Sequence, residues 1–332
     1  MDLPLLWAAI IAFAVFMYVL LDGFDLGVGI LFPTARGDTE RDIMMNSVAP
    51  IWDGNETWLV LGGGGLFAAF PVAYAIIMPA LYFPLLIMLI ALIFRGVAFE
   101  FRFKAKASRY LWDRAFIFGS VAATFSQGLV LGGFLQGFHV RGGRFAGGMF
   151  DWFSLFGVFV GVALVCGYAL LGATWLIIKT EGELQRRMYG LARRLLWGVA
   201  GFIVVVSLWT PWYYPAVADR WFGWPEGLYV AWVPVTTALV VFGAYRALLR
   251  RREVLPFVLS LGLFLLGYLG LAYSLFPYVA PPSVTLWQAA STANALMFLL
   301  VGALIMMPII LFYSGYSYFV FRGKVRSDVG YH

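Results

Sequence analysis

The sequence predicts an all-α integral membrane protein of nine transmembrane helices, arranged as two four-helix bundles in a parallel internal repeat plus one terminal helix. Three observations predict it. The 332 residues are 62% hydrophobic and 12% charged, with mean hydropathy +0.87, whereas a soluble globular chain carries about 25% charged residues. Long apolar runs recur along the whole length, and a hydrocarbon core about 30 Å thick is crossed by roughly 20 such residues as helix. The Lys and Arg side chains collect in alternate connections between those runs.

The first run, 3–32, has no basic segment before it, the first Lys or Arg being Arg36, and it is longer than the apolar core of a signal peptide; it is read as a retained span. The second, 50–71, starts with polar residues after Pro50 and contains Gly62-Gly63-Gly64-Gly65. Four glycines weaken an isolated helix, but in a bundle they let a neighbouring backbone approach closely. The third and fourth, 73–99 and 112–138, follow, the fourth carrying Gln127 and Gln136 for hydrogen bonds between helices. Runs at 153–178, 193–213, 227–248, 255–278 and 290–320 complete the set. Twenty of the 23 Lys and Arg fall in or beside the odd-numbered connections and the tail, leaving Arg141, Arg144 and Arg220 for the even ones. That bias puts the odd connections and the C-terminus in the cytoplasm and the N-terminus outside.

Tyr18-Val19-Leu20-Leu21-Asp22-Gly23-Phe24-Asp25-Leu26 in the first span resembles Tyr168-Ala169-Leu170-Leu171-Gly172-Ala173-Thr174-Trp175-Leu176 in the fifth. The chain then divides into a first repeat over 1–138, a second over 153–278, and a terminal helix with a cytoplasmic tail over 290–332. An even number of spans per repeat makes both copies face the same way. The second copy keeps the packing residues and lacks the acids: Gly172 stands for Asp22 and Trp175 for Asp25.

Those acids are the chemistry of the chain. An Asp at the centre of a membrane helix costs roughly 2.5–3.5 kcal/mol on insertion scales, and such groups mark ion, proton or substrate pathways. Asp22 and Asp25 are spaced to share a helix face. Two carboxylates this close rarely ionise together, which suits proton handling. Asp53 and Glu56, in Trp52-Asp53-Gly54-Asn55-Glu56-Thr57-Trp58, open the second span from the same side, so the four acids are expected near one another. Helix capping after Pro50 accounts for Asp53 and Glu56 as well as a proton path does. Arg95 and Glu100 are read first as a membrane-end anchor with a local ion pair, and otherwise as a counter-charge for the acids. Most tryptophans fit interface belts; Trp52, beside Asp53, is singled out for contact with a quinone or lipid.

Other chemistries find little support. The single Cys166 builds no disulfide framework. The two histidines, His139 in an external loop and His332 in the tail, supply no axial haem ligand at membrane depth. Met17, Met78, Met88, Met297, Met306 and Met307 are read as packing. No metal site, phosphate loop or nucleophile triad appears, and the net charge of +6 reflects loops at a membrane rather than nucleic-acid binding. A secondary transporter remains the rival class, since it would combine repeats, Gly-rich helices and midplane carboxylates.

Along its whole length the chain resembles subunit II of the cytochrome bd-type ubiquinol oxidases, including the cyanide-insensitive branch. The residues that carry the resemblance are Asp22-Gly23-Phe24-Asp25-Leu26-Gly27-Val28-Gly29, Arg41 to Asn46, Ala49-Pro50-Ile51-Trp52-Asp53-Gly54-Asn55-Glu56-Thr57-Trp58, Phe94-Arg95-Gly96-Val97-Ala98-Phe99-Glu100, Phe276-Pro277-Tyr278 and Phe321-Arg322-Gly323-Lys324-Val325. The resemblance implies a haem-free subunit of a heterodimer in the bacterial cytoplasmic membrane, not catalytic alone. Its partner, subunit I, would hold haem b and haem d; a small accessory subunit and a bound ubiquinone belong to the same expectation. The complex would oxidise quinol and reduce O2 to water with protons from the cytoplasm. The family's proton channel through subunit II maps onto Asp22 and Asp53, with Asp25 as the neighbouring acid; Glu56 stands where other members carry Gln.

Overall fold

The computed structural model describes residues 2–213, 215–224, 227 and 230–325. The tail from 326 on, with His332, and residues 228 and 229 of the expected seventh span lie outside the described residues. Helix α1 (Leu3–Leu31) is capped by Asp2, whose side chain accepts from the Leu5 N–H at 3.1 Å. A short 3-10 turn and α2 (Asp38–Asn46) lead into α3 (Trp52–Ala69), α4 (Pro71–Ala80), α5 (Tyr82–Lys104) and α6 (Arg109–Gln136). The hairpin β1 (Val140–Arg141) and β2 (Arg144–Phe145) precedes α7 (Leu155–Lys179), α8 (Gly182–Tyr213) and α9 (Pro215–Phe222). Then come α10 (Trp232–Leu249), α11 (Leu255–Leu275), a second hairpin of β3 (Tyr278–Ala280) and β4 (Val284–Thr285), the single turn α12 (Leu286–Ala289), and α13 (Ala293–Val320).

Among the described residues eight helices are long and apolar enough to cross a bilayer: α1, α5, α6, α7, α8, α10, α11 and α13. The expected second crossing is α3, whose 18 residues reach about 27 Å at 1.5 Å each; its polar first turns and its glycines make it less apolar than the others. The expected third span begins later than predicted, at Tyr82 rather than 73. Prolines explain the shift. Pro71 starts a new helix after the break at Phe70, and Pro84 cannot donate to the carbonyl of Ala80, so the chain breaks again at Leu81. Residues 71–80 form the separate helix α4, packed on the two hairpins.

The core is centred on α1 and α7. Residues 22–29 of α1 and 167–177 of α7 are buried on every side, as expected for helices enclosed by others. They cross backbone to backbone: a Cβ on Gly27 would overlap the Tyr168 carbonyl, and one on Gly172 would overlap the Gly27 carbonyl carbon. Phe24 stacks on Trp175 at 4.4 Å between ring centroids. Tyr18 and Tyr168, equivalent in the sequence repeat, share one partner. Gln127 of α6 donates to the Tyr18 hydroxyl at 2.7 Å and accepts from that of Tyr168 at 2.8 Å. Gln136 accepts from Ser154 at 2.6 Å, so both glutamines join helices as expected.

The basic connections meet at one end. There α2 is tied down by ion pairs of Asp42 with Arg102 and Arg109, of Arg41 with Asp113, and of Glu40 with Arg187. The end of α13 docks at the same face. Lys324 donates to the Thr180 carbonyl at 3.0 Å and pairs with Glu253 at 2.9 Å, and the Val325 N–H donates to the Lys179 carbonyl at 2.8 Å. These groups satisfy the last carbonyls of α7, where a cation also complements the helix dipole.

Candidate functional site

Asp22 and Asp25 lie in the enclosed part of α1, and both are fully buried. The three-residue spacing gives them different partners. Asp22 forms an ion pair with Arg95 of α5, itself fully buried. The other guanidinium nitrogen of Arg95 lies 3.6 Å from Glu56 of α3. Arg95 is also packed over the rings of Trp52 and Phe99, at 5.5 and 5.7 Å from their centroids. It therefore bridges two acids from separate helices.

The expected local pair of Arg95 with Glu100 does not form. Residues five apart on a helix do not face each other; neighbours are three or four apart. Glu100 pairs with Lys104 at 3.4 Å and is exposed, so of these two residues only Arg95 is a counter-charge.

Asp25 has no cation beside it among the described residues. One carboxyl oxygen accepts from the Asn55 amide nitrogen of α3 at 2.7 Å, the other has no partner, and among the described residues Asp25 forms no ion pair. The Asn55 carbonyl oxygen accepts from the Tyr318 hydroxyl of α13 at 2.7 Å. Tyr318 lines a cavity of about 260 Å³ at the basic end, with Asp53, Glu100, Trp52, Tyr313, Ser314 and Ser317. A string of hydrogen bonds thus joins the cavity wall to the buried acid.

Asp53 sits in the first turn of α3, on the exposed side, facing this cavity. The residue before the helix is Ile51, with no side-chain cap, and among the described residues neither Asp53 nor Glu56 accepts a hydrogen bond from a backbone N–H. The Asp53 carboxylate, in the first turn, complements the helix dipole without capping it, whereas Glu56 lies past that turn and faces Arg95. Trp52 is half-buried and stacked on Phe99 at 5.1 Å, forming part of the cavity wall.

Asn55 and Tyr318 are the residues that sequence reasoning passed over. Asn55 stands between two acids that drew attention first, and Tyr318 belongs to a tyrosine-rich stretch typical of a membrane interface. An uncharged amide inside a span was the available signal for Asn55. Among the described residues no group of three His, Cys, Asp or Glu side chains comes together as a metal site. The acids are spread over α1, α3 and α5 and committed to Arg95, Asn55 and the cavity. His139 lies beside the first hairpin, away from them.

Comparison with known proteins gives a consistent answer. A family model described as cytochrome bd terminal oxidase subunit II matches residues 3–321. The chain is 29% identical to cytochrome bd-I ubiquinol oxidase subunit 2 of Escherichia coli strain K12, over 98% of this chain and 96% of that one. It is also 29% identical to cytochrome bd ubiquinol oxidase subunit 2 of Bacillus subtilis strain 168, over 96% of both chains. The solved bd oxidase of Geobacillus thermodenitrificans contains a chain of the same fold, with a TM-score of 0.76 and 19% identity, covering 97% of this chain and 99% of that one.

Proposed function

This chain belongs to the cytochrome bd terminal oxidase subunit II family, and from that premise we propose that it delivers protons from the cytoplasm toward the oxygen-reducing site of a haem-bearing partner. As a bd oxidase subunit it is part of a membrane-bound oxidoreductase complex. In this reading the haems belong to subunit I, which this chain stabilises, and the basic end faces the cytoplasm. Proton uptake from one side, with quinol oxidised near the other, makes the complex electrogenic without pumping.

The observation that carries the proposal is the convergence of acids at the basic end. The cavity collects Asp53 and Glu100 at its mouth and reaches Asp25 through Tyr318 and Asn55, while Asp22 and Glu56 flank Arg95 one helix face away. A buried carboxyl without a cation can hold and pass on a proton, and intramembrane acids are placed for such work. The presence of these acids in the first repeat alone supports a transport role over a purely structural one.

Replacing Asp22 or Asp53 with Asn tests this directly. The assembled, haem-replete complex is expected to lose most of its quinol oxidase turnover. Normal turnover with normal haem content removes these residues from the path; loss of haem instead assigns them to assembly. A transporter would purify colourless and alone, whereas this chain is expected to copurify with a second polytopic chain showing haem absorption.

A further inference from the structure

Resting on the proton-path reading, we propose that the Asn55 side chain is a reversible amide switch that couples the proton on Asp25 to the Tyr318 hydroxyl in the cavity wall, with Tyr318 as its positioning residue. The hydrogen bonds have a direction. Tyr318 donates to the Asn55 oxygen and the Asn55 nitrogen donates to Asp25, each at 2.7 Å. Both donors thus point inward, toward the acid. An ionised carboxylate only accepts, whereas a protonated one must also donate. The string as found suits an ionised Asp25.

When Asp25 takes a proton, its new O–H needs an acceptor, because an unpaired polar group buried in a low-dielectric interior is costly. The second oxygen of Asp25 has no partner in its buried surroundings. The carbonyl oxygen of Asn55 becomes that acceptor by a half-turn of the amide about Cβ–Cγ. The two ends of an amide are nearly the same size, so the rotation fits the same space. The string then runs outward: Asp25 O–H donates to the Asn55 oxygen, and the Asn55 nitrogen donates to the Tyr318 oxygen. The Tyr318 proton is released to point into the cavity, where Asp53 stands and Ser314 has an unpartnered hydroxyl. Two hydrogen bonds exist before and after. The half-turn gives up only the long approach of the Asn55 nitrogen to the Leu21 carbonyl, 3.4 Å.

The device needs an acid with no competing cation, and Asp25 is that acid because Arg95 is engaged by Asp22 and Glu56. The ionisable groups facing it among the described residues are Glu56 on α3 and Tyr318 on α13, with Asp22 one turn away on α1, Arg95 of α5 between Asp22 and Glu56, and Asp53 beside Glu56. Since both Asn55 and Asp25 are buried, the protonation state of an acid sealed from water is reported at a wetted surface without movement of the backbone.

Tyr318→Phe removes the hydroxyl and keeps the ring, which makes edge contacts with Phe24 and Trp175. The haem-replete variant complex is expected to turn over several-fold more slowly, with the midpoint of its pH–turnover profile displaced. In the infrared pH-difference spectrum of the unmodified complex, the carboxyl band that disappears in Asp25→Asn is expected to titrate together with asparagine amide bands identified by 15N-asparagine labelling. An unchanged pH midpoint in Tyr318→Phe with normal haem content overturns the switch. So do amide bands that stay constant while the Asp25 band titrates, a result that stands even if the variant fails to assemble. Full turnover in Asp25→Asn removes this acid from the proton path itself; an inactive Asp25→Asn with static amide bands keeps the path and removes only the switch.

Discussion

Arg95 holds the most exacting position in the molecule. Its guanidinium is sealed from solvent, joined to Asp22, in reach of Glu56 and covered by Trp52 and Phe99. Removing one partner of a buried ion pair costs about 3–5 kcal/mol, because the other charge is left uncompensated. Arg95→Leu is therefore expected to lower the melting temperature and the yield of the purified complex, and adding Asp22→Asn to recover much of the loss. Equal instability of the single and double variants would mean that Arg95 contributes packing rather than charge. At this scale the sequence showed the acids and concealed their partners. An Asp inside an apolar run is visible because its solvation cost is paid residue by residue. That Asp22 meets Arg95, and Asp25 meets Asn55, depends on which helix faces come together, and neighbours in the chain such as Glu100 suggest the wrong pair.

The helices are fixed by close approach in the middle and by charge at one end. Gly27→Ala forces a methyl group into the Tyr168 carbonyl, a backbone atom that cannot swing aside. Overpacking of this kind costs about 1–3 kcal/mol, and a matching fall in thermal stability is expected. Gly190→Ala on α8, where an added Cβ meets nothing within 4 Å, is the control and should leave stability unchanged or slightly higher. The clasp at the end of α13 responds to pH instead. Hydrogen bonds from Lys324 and Gln185, outweighing burial, hold the Glu253 carboxyl below its ordinary range. An acid lowered on docking contributes above its ordinary range, and the contribution is lost as pH falls through the lowered value. Protection of the Val325 amide from hydrogen exchange, relative to the intrinsic rate at each pH, should accordingly fall on acidification, and Lys324→Ala should abolish that dependence. Element boundaries were partly legible: the long spans followed from hydropathy, while the separate α4 followed from Pro71 and Pro84, whose missing N–H groups break a run that looks continuous by apolarity alone. Helix α2 was hidden because it is charged on most faces and owes its place to Arg102, Arg109 and Arg187 from other helices.

At the scale of the whole molecule, membrane class and family were legible throughout, since every residue of a span reports on its solvent. The arrangement of the spans was less so. The repeat suggested that α1 and α7 correspond, and the structure places them against each other, with Gln127 bridging Tyr18 and Tyr168. We propose on that basis that the two four-helix repeats pack about their equivalent segments, with α13 laid across α1 and α3. The covering of the acids by α13 has a consequence for biosynthesis. Tyr318 leaves the ribosome 263 residues after Asn55. While the intervening helices are being inserted, the first two acidic segments lie in the bilayer with one wall of their chamber unbuilt, so the proposed proton route cannot exist on a nascent chain and would come into being only as synthesis reaches its last helix.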